Sequence, residues 1–594
     1  MSAPRDTLTI GVTGHRPQRL GRANLAKIGT MIAAVLDAVA AAARDVVGGE
    51  VDLRLVSALA EGADSMAADA ARARGWTLDC VLPFARDDYA ADFKDPGAAG
   101  AYRARLAAAR SVFELPADRA QISDPHAYER AGRVVLAQCD ILLAIWDRGP
   151  VQGRGGTGQI VAEAVIEDVP VILIDPSGAT PPTLLWDGLE EHDLGQQTLD
   201  TVPRSGLDAL PRVTRSLLDK ADDAANLAMR QFYSDAPLPR RTLALAFPLL
   251  LAVMGVRGLK ASDARVADAV DAEAPILAAA AAIADRAGAF AERMRTALAP
   301  RFAKADVMAT HIGQLFRSGY VINFALAAVA VALSLSSLAL PPQAKPFLIV
   351  LELGAIWTIL FLTRTAHRVA WHQRWLDCRH LAERLRCLAI SAQLGDLTLR
   401  VGADSEPQWV AGAVRATART LGLPSTRADE AYLAAVRAAL IELIDGQLSY
   451  VTADAHRMHR LEHRLHLIGT ALFALTALIC IGFLGFEAVF KMGLGGDLER
   501  LAHRVAIGVT IASGALPAIG AAIYGIRMQG DFAGIAERSE TLAHHLSALK
   551  RVIVEDELSF DTLGRRARRA VDLLTADLAR WRQTYHARPL SLPG

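Results

Sequence analysis

Four apolar runs in the C-terminal half constrain this chain most: Val321–Leu340, Phe347–Thr363, Ile468–Phe490 and Val505–Ile526. Each is 17 to 23 residues long and almost free of charge, so as a helix rising about 1.5 Å per residue it matches a hydrocarbon layer about 30 Å thick. The runs come in two pairs. The first pair turns through Pro341–Lys345 and the second through Lys491–Arg504. The stretch of about a hundred residues between the pairs is too long for an ordinary loop and reads as helical. A buried pair of soluble helices is the alternative, but four such runs in paired array rarely occur in a soluble core. Composition agrees: 52% of the 594 residues are hydrophobic and 22% charged, and the apolar surplus is concentrated in this half.

Basic residues near the run ends give an orientation. Arg317, Arg364, Arg368, Arg374, Arg457, Arg460, Arg464, Arg527 and Arg538 flank the outer ends of the pairs. Against them stand Lys345, Lys491, Arg500 and Arg504 in the turns, the second turn also holding Asp497 and Glu499. This excess predicts a multi-pass protein of the inner, cell membrane with its soluble parts and both termini in the cytoplasm. Inside the runs, Glu352 costs about 2.5–3.5 kcal/mol if it faces lipid at the bilayer centre. It reads either as a pore or mouth residue or as a carboxyl snorkelling to the interface, and Glu487 is the second pore candidate. Pro517 with Gly514 and Gly520 either kinks the fourth run or permits close helix packing.

Each pair is entered by an Arg-bearing helix and left by an amphipathic one. Ile535, Leu542, Leu546, Leu549 and Ile553 form an apolar seam after the second pair, as Leu381, Leu385 and Leu388 do after the first. A stripe fixes a buried face but not its partner. The seams therefore either close within one chain or join subunits into a homo-oligomeric ring. A further apolar run, Thr242–Val256, contains Pro248 and is too short to span; it reads as an interfacial or buried helix.

The N-terminal region has a different grammar. Thr7–Val12, Leu53–Ser57, Leu78–Leu82, Ile141–Trp146 and Val169–Ile174 are short apolar or β-branched runs, each followed by room for a helix. That alternation predicts an open, doubly wound α/β domain with a parallel sheet. The first strand enters the turn Gly11-Val-Thr13-Gly14-His15-Arg16, where glycines allow close approach of backbone N–H groups to an anion and two side chains add charge-assisted bonds. A tight strand-to-helix turn is the bland alternative. The second strand ends in Ser57-Ala-Leu-Ala-Glu-Gly62-Ala-Asp64, and the third leads to Arg86 and Tyr89, placed to frame a base or ribose. Arg130 and Arg133 precede the next strand. After it come Gly153-Arg-Gly155-Gly156-Thr157-Gly158-Gln159 and Glu163. One glycine turn is weak evidence, but three at successive strand ends of one sheet point to a ligand edge.

Equal numbers of basic and acidic residues, 64 each, give no electrostatic footprint for direct nucleic-acid binding. Five cysteines without CxxC spacing support neither a disulfide framework nor a zinc site. Met1–Asp6 has no basic segment followed by an apolar core, so no secretory leader is expected.

Residues 7–176 resemble the SLOG family, the Rossmann-like relatives of the DprA and LOG proteins. The resemblance lies in the ordered set Gly-Val-Thr-Gly-His-Arg, Ser-Ala-Leu-Ala-Glu-Gly-Ala-Asp, Leu-Pro-Phe-x-Arg-x-x-Tyr-x-x-Asp-Phe, Cys-Asp-Ile-Leu-Leu-Ala-Ile-Trp-Asp and Gly-Gly-Thr-Gly. The paired runs with their flanking helices resemble SLATT domains, the two-transmembrane effectors associated with SLOG, chiefly in hydropathy and helix pattern. The resemblance implies a sensor of nucleotide or NAD/ADP-ribose-derived signals, without a tightly bound cofactor, coupled to a membrane effector of anti-phage or conflict systems. It implies these units: 1–180, sensor; 203–310, helical connector; 311–395, first hairpin; 396–450, linker; 451–594, second hairpin with C-terminal helices. The ligand set it implies is Gly11, Thr13, Gly14, His15, Arg16, Ser57, Gly62, Asp64, Arg86, Tyr89, Arg133, Gly155, Gly156, Thr157, Gly158 and Glu163, with lipid bilayer and further copies of the chain as partners. The rival is an N-glycosidic hydrolase like LOG, which uses an Arg and a Glu just after its glycine turn. Here Gln159-Ile160-Val161-Ala162 precede the first acid, Glu163, so the resemblance leaves enzymatic activity open.

Overall fold

The computed structural model describes residues 4–20, 25–120, 122–149, 154–186, 188, 197–218, 223–235, 239–397, 407–489, 499–586, 590 and 592. Met1–Ala3, Gly153, Phe490, Lys491 and Asp497, used above, lie outside these residues. The strands are β1 (Thr7–Gly14), β2 (Asp52–Ser57), β3 (Thr77–Leu82), β4 (Ser111–Glu114), β5 (Ile141–Ile145), β6 (Val171–Ile174), β7 (Thr183–Leu185), β8 (Arg204–Ser205) and β9 (Thr426–Arg427). They form one sheet in the order β8-β7-β6-β5-β1-β2-β3-β4-β9. Pairing is parallel from β6 to β9, as the sequence pattern predicts, and antiparallel where β7 and β8 extend one edge. The sheet is therefore mixed rather than wholly parallel. The chain moves outward from β1 to β4 and then returns to the other side of β1 as β5, so the connection reverses between these two strands. Open α/β sheets form a crevice at the carboxyl end of such a reversal.

Helices α1 (Leu25–Val47), α2 (Ala63–Ala73), α3 (Asp124–Gln138) and α4 (Thr157–Ile166) cover the sheet. Five helices among the described residues are long and apolar enough to cross a membrane, and α1 is one of them. Its apolar stripe, Ile28, Ile32, Val35, Leu36 and Val39, is buried in the core it shares with the strands, which accounts for its hydrophobicity without a membrane.

The longer helices that follow include α5 (Ala246–Val253), α6 (Ala299–Ser336), α7 (Lys345–Arg368), α8 (Trp371–Ser391), α9 (Gln408–Leu421), α10 (Glu430–Val489), α11 (Glu499–Gly530), α12 (Phe532–Glu555) and α13 (Phe560–His586). The four apolar runs lie in α6, α7, α10 and α11, which expose large side chains such as Phe347, Trp357, Leu478 and Leu484. Continuous surfaces of this kind are foreign to monomeric soluble proteins. The two pairs share a local device: each returning helix ends at one left-handed residue, Ala370 (φ +53°) before α8 and Asp531 (φ +48°) before α12. There α8 folds back along α6, and α12 along α10. Leu381, Leu385 and Leu388, with Leu542, Leu546, Leu549 and Ile553, are buried in that packing, so the seams close within one chain. Pro517 sits inside the continuous α11. A Cβ on Gly514 would meet Leu335 of α6 at 2.6 Å, and one on Gly520 would meet Phe473 of α10 at 3.0 Å. These glycines permit close packing. Within Thr242–Val256, α5 buries Phe247 and Leu251 while Leu249 and Val253 stay exposed, a half-buried helix lying beside α6.

The α/β and helical parts share one hydrophobic core, which runs from Val56 and Phe113 through Phe290 and Leu385 to Leu546. The segment between the pairs supplies much of the junction: α9 packs on α8, and β9 pairs with β4. At the amino edge of the sheet, Arg419 of α9 donates to Asp140 at 2.8 and 3.0 Å and to the Leu217 carbonyl at 2.7 Å. Asp140 also accepts from the Thr9 N–H of β1 at 2.9 Å, and both side chains of the ion pair are buried. Removing one partner of such a pair strands the other charge. Arg419→Ala is expected to cost about 3–5 kcal/mol, read as a lower unfolding temperature of the purified chain; an unchanged temperature would show that the pair does not hold the two parts together.

Candidate functional site

The carboxyl ends of β1, β2 and β5 meet at the reversal point. The turn after β1 is closed by backbone: His15 N–H donates to the Ile145 carbonyl at 3.2 Å, and Ala63 N–H at the start of α2 donates to the His15 carbonyl at 3.3 Å. Gly62 (φ +108°) is required there, because a Cβ would stand 2.8 Å from the His15 oxygen. Gly14 similarly lets β1 approach Ala63 of α2. Gly11 lies within β1, where a Cβ would meet Cys139 Sγ at 2.7 Å, so its small size serves packing against α3. Thr13 pairs with Ala144 in the sheet.

Charged side chains rim this crevice. His15 Nε2 lies 2.9 Å from Asp147 Oδ1, and Arg19 lies 2.7 Å from Asp147 Oδ2. Burial pushes the Asp147 carboxyl upward, but His15, the Gly149 N–H and Arg19 hold it down to about 2. Arg16 stacks 5.0 Å over the Tyr128 ring and reaches Asp92 at 3.5 Å. Burial disfavours its charge, yet Tyr128, Tyr89 and Asp92 outweigh that and raise its pKa. Arg119 bonds Asp92 and Asp124, both at 2.6 Å. Arg16, Arg19 and Arg119 remain 47%, 41% and 36% exposed, so three guanidinium groups can meet an incoming anion.

Asp64 sits in the floor. It is buried, accepts from the Ser57 hydroxyl at 3.3 Å, and is raised to about 7 by burial, against the opposing hydrogen bonds and the Arg16 charge. Tyr89 lies fully buried among Phe84, Phe93, Tyr102 and Tyr128, a core position rather than a frame for a base. Arg86 is turned away to Glu114 at the end of β4, which it holds with Nε at 2.8 Å and its own N–H at 2.9 Å.

The third glycine turn builds a separate cluster on the other side of α3. Arg133 bonds Glu163 at 2.7 Å and Glu129 at 2.9 Å; Arg154 bonds Glu129; Gln159 donates to Glu129 at 2.8 Å and to Glu163 at 2.9 Å. Gly155 (φ +79°) donates its N–H to the Gln159 side-chain oxygen at 2.8 Å, and Gly156, Thr157 and Gly158 form the start of α4. Burial raises both carboxyls. Arg154, Gln159 and Arg133 overcome it at Glu129, as Arg133 and Gln159 do at Glu163, and both are lowered overall. The structure thus divides the expected set in two, with Tyr128 facing one cluster and its neighbour Glu129 the other. Sequence reasoning did not place Arg19, Asp92, Arg119, Tyr128, Glu129, Asp147 or Arg154 in the site. The i,i+4 spacing of Glu129 and Arg133 was the available signal for one pair. Glu352 and Glu487 lie half-buried in α7 and α10, far along the chain from either cluster.

Because the Asp64 carboxyl is raised above its ordinary value near 4, this group holds its proton in the folded state but not in the unfolded one between about pH 4 and 7. Its contribution therefore falls as pH rises through that window. Asp64→Asn is expected to raise the unfolding temperature at pH 8 and to leave it nearly unchanged at pH 4; an equal difference at both pH values would contradict a neutral buried carboxyl. No protein-family model matches this chain, and no curated protein sequence matches it.

Proposed function

We propose that the chain is a nucleotide-gated membrane effector: the crevice at the sheet's carboxyl edge takes a nucleotide or ADP-ribose-type signal, and the four apolar helices act in the bilayer. The single observation that supports this best is the shared core joining an α/β crevice rimmed by accessible guanidinium groups to helices whose apolar faces are exposed. In this reading the Arg16, Arg19 and Arg119 rim meets phosphate, and Asp92 and Asp147 accept from ribose hydroxyls. Helices α6, α7, α10 and α11 cross the membrane as two hairpins, with the arginine-rich ends in the cytoplasm. Affinity that differs between two arrangements of the helices then shifts their balance and opens or disrupts the bilayer. Copies of the chain assemble through the helical surfaces left exposed, since both amphipathic seams are already used internally. Glu352 and Glu487 line the resulting path. The setting proposed, from the SLOG and SLATT resemblance, is bacterial anti-phage or conflict defence.

A second reading has its own observation. The Arg133–Glu163 pair beside a glycine turn is the arrangement an N-glycosidic hydrolase would use, although both neighbouring carboxyls are held ionised and neither is set up as a proton donor.

One experiment separates the readings. Purified chain in liposomes is challenged with NAD, ADP-ribose and cyclic nucleotides while dye leakage and ligand turnover are measured together. The expected result is leakage with an unconsumed ligand, lost at least tenfold in Arg16→Ala with Arg119→Ala. Turnover without leakage would make the helices an anchor for an enzyme, and recovery of the intact chain in the soluble fraction would overturn the membrane reading altogether.

A further inference from the structure

A cleft of about 390 Å³ lies between α3, the turn before α4, the end of α8 and the first turns of α13. That volume falls within the range of small-molecule sites. Its lining brings together residues more than 400 positions apart. Arg130, Arg133 and Arg154 come from the α/β part, Arg565 and Arg568 from α13. Three carboxylates, Glu129, Asp396 and Asp561, also line it. Five guanidinium groups stand against these three carboxylates and Glu163, which Arg133 bonds at 2.7 Å beside the cleft, and leave one positive charge over. Glu129 and Arg130, both more than nine-tenths buried, are fixed members of the wall. Arg130 bonds Asp561 at 2.6 Å and the Pro116 carbonyl at 2.7 Å, while Arg568 bonds Asp396 at 2.9 Å. Arg565 is exposed and reaches the Thr562 hydroxyl at 3.2 Å.

The spacing of Asp561, Arg565 and Arg568 puts all three on one face of α13. That helix packs along α8 and α12, the helices that leave the two apolar pairs. An anion in this cleft would touch the α/β part and the effector helices together.

We propose that this cleft binds the phosphate portion of a nucleoside diphosphate or related dianion, with Arg565 and Arg568 as its effector-side ligands. The inference rests on the nucleotide-gated reading above and adds where gating is transmitted. Diphosphate oxygens offer bidentate partners to guanidinium groups now shared with Glu129, Asp396 and Asp561. Binding exchanges a carboxylate partner for phosphate on both sides of the junction. The docking of α13 is thereby made dependent on the ligand, which is the differential contact that coupling requires.

The test is titration calorimetry on the full chain in detergent, with inorganic pyrophosphate and ADP-ribose as separate probes. The proteins compared are the wild type, Arg565→Gln with Arg568→Gln, and Arg565→Gln alone. The cleft is a second site beside the crevice, so ADP-ribose is expected to show two binding events. Affinity of the cleft event for both probes is expected to fall at least tenfold in the double variant and severalfold in the single one, with the crevice event unchanged. The single variant changes an exposed side chain and should unfold at the wild-type temperature, so its weaker binding cannot be attributed to misfolding. Wild-type affinity in both variants would overturn the inference while leaving the nucleotide-gated reading intact. Binding of pyrophosphate through Arg565 and Arg568 without binding of any nucleotide would support the cleft and count against that reading. A wild-type chain that binds neither probe would overturn the cleft as an anion site.

Discussion

The buried Asp140–Arg419 pair determines which edge of the sheet remains available. Asp140 stands just before β5 and accepts from β1, while Arg419 closes α9. Around it, Arg293 donates to the Leu421 and Leu423 carbonyls at 2.6 and 2.8 Å, and β9 adds to the outer strand β4. All of these contacts lie at the amino edge or on the outer strand. The helical part therefore holds the sheet at its amino edge, along its outer strand and on the face that carries Val56, Phe113 and Leu142, and leaves the carboxyl ends of β1, β2 and β5 to the charged crevice. A buried ion pair contributes less net stability than its geometry suggests, because both charges must be desolvated. What it supplies here is register, since Arg419 must reach Asp140 and the Leu217 carbonyl together while Asp140 is itself held by the Thr9 amide.

Much of this was legible in the sequence because it is encoded locally. Strands β1, β2, β3, β5 and β6 follow from apolar runs separated by helix-length intervals, and the four long apolar helices from their length alone. The edges were not legible. Strand β4 is only Ser111–Glu114, and β9 is a two-residue pairing contributed from more than 300 positions away. No periodicity announces a strand that exists because a distant helix delivers it. The glycine turns were visible as turns, but their atomic purposes differ: Gly62 and Gly14 admit backbone and Ala63, whereas Gly11 makes room for Cys139. Arg86 and Tyr89 looked like ligand residues because their neighbours Glu114 and Phe93, Tyr102 and Tyr128 were invisible until the chain folded.

The hairpins show how a repeat survives without close sequence identity. Ala370 and Asp531 occupy equivalent joints, and each carries a positive φ that a side chain adopts only at a cost of roughly 1–2 kcal/mol. That cost is offset where the returning helix buries its leucines against the helix that entered. Hydropathy predicts both apolar faces, but only the reversal decides that they meet each other. The same closure explains why the seams carry no information about oligomeric state.

The second turn of α3 joins the two clusters to the helical part. Tyr128 faces the crevice through Asp92 and Arg16, while Glu129, one residue later, holds Arg154 and Arg133 in the second cluster. Arg130, the next residue, reaches Asp561 on α13. Three consecutive side chains on one rigid turn thus touch the crevice, the glycine turn and α13. A displacement of that turn cannot favour one of these contacts without straining the others, because close-packed interiors shift between discrete arrangements rather than deforming continuously. In the nucleotide-gated reading proposed above, coupling between ligand and apolar helices consequently needs no long relay: it needs only that the turn have two seatings, and that the ligand bind one of them more tightly.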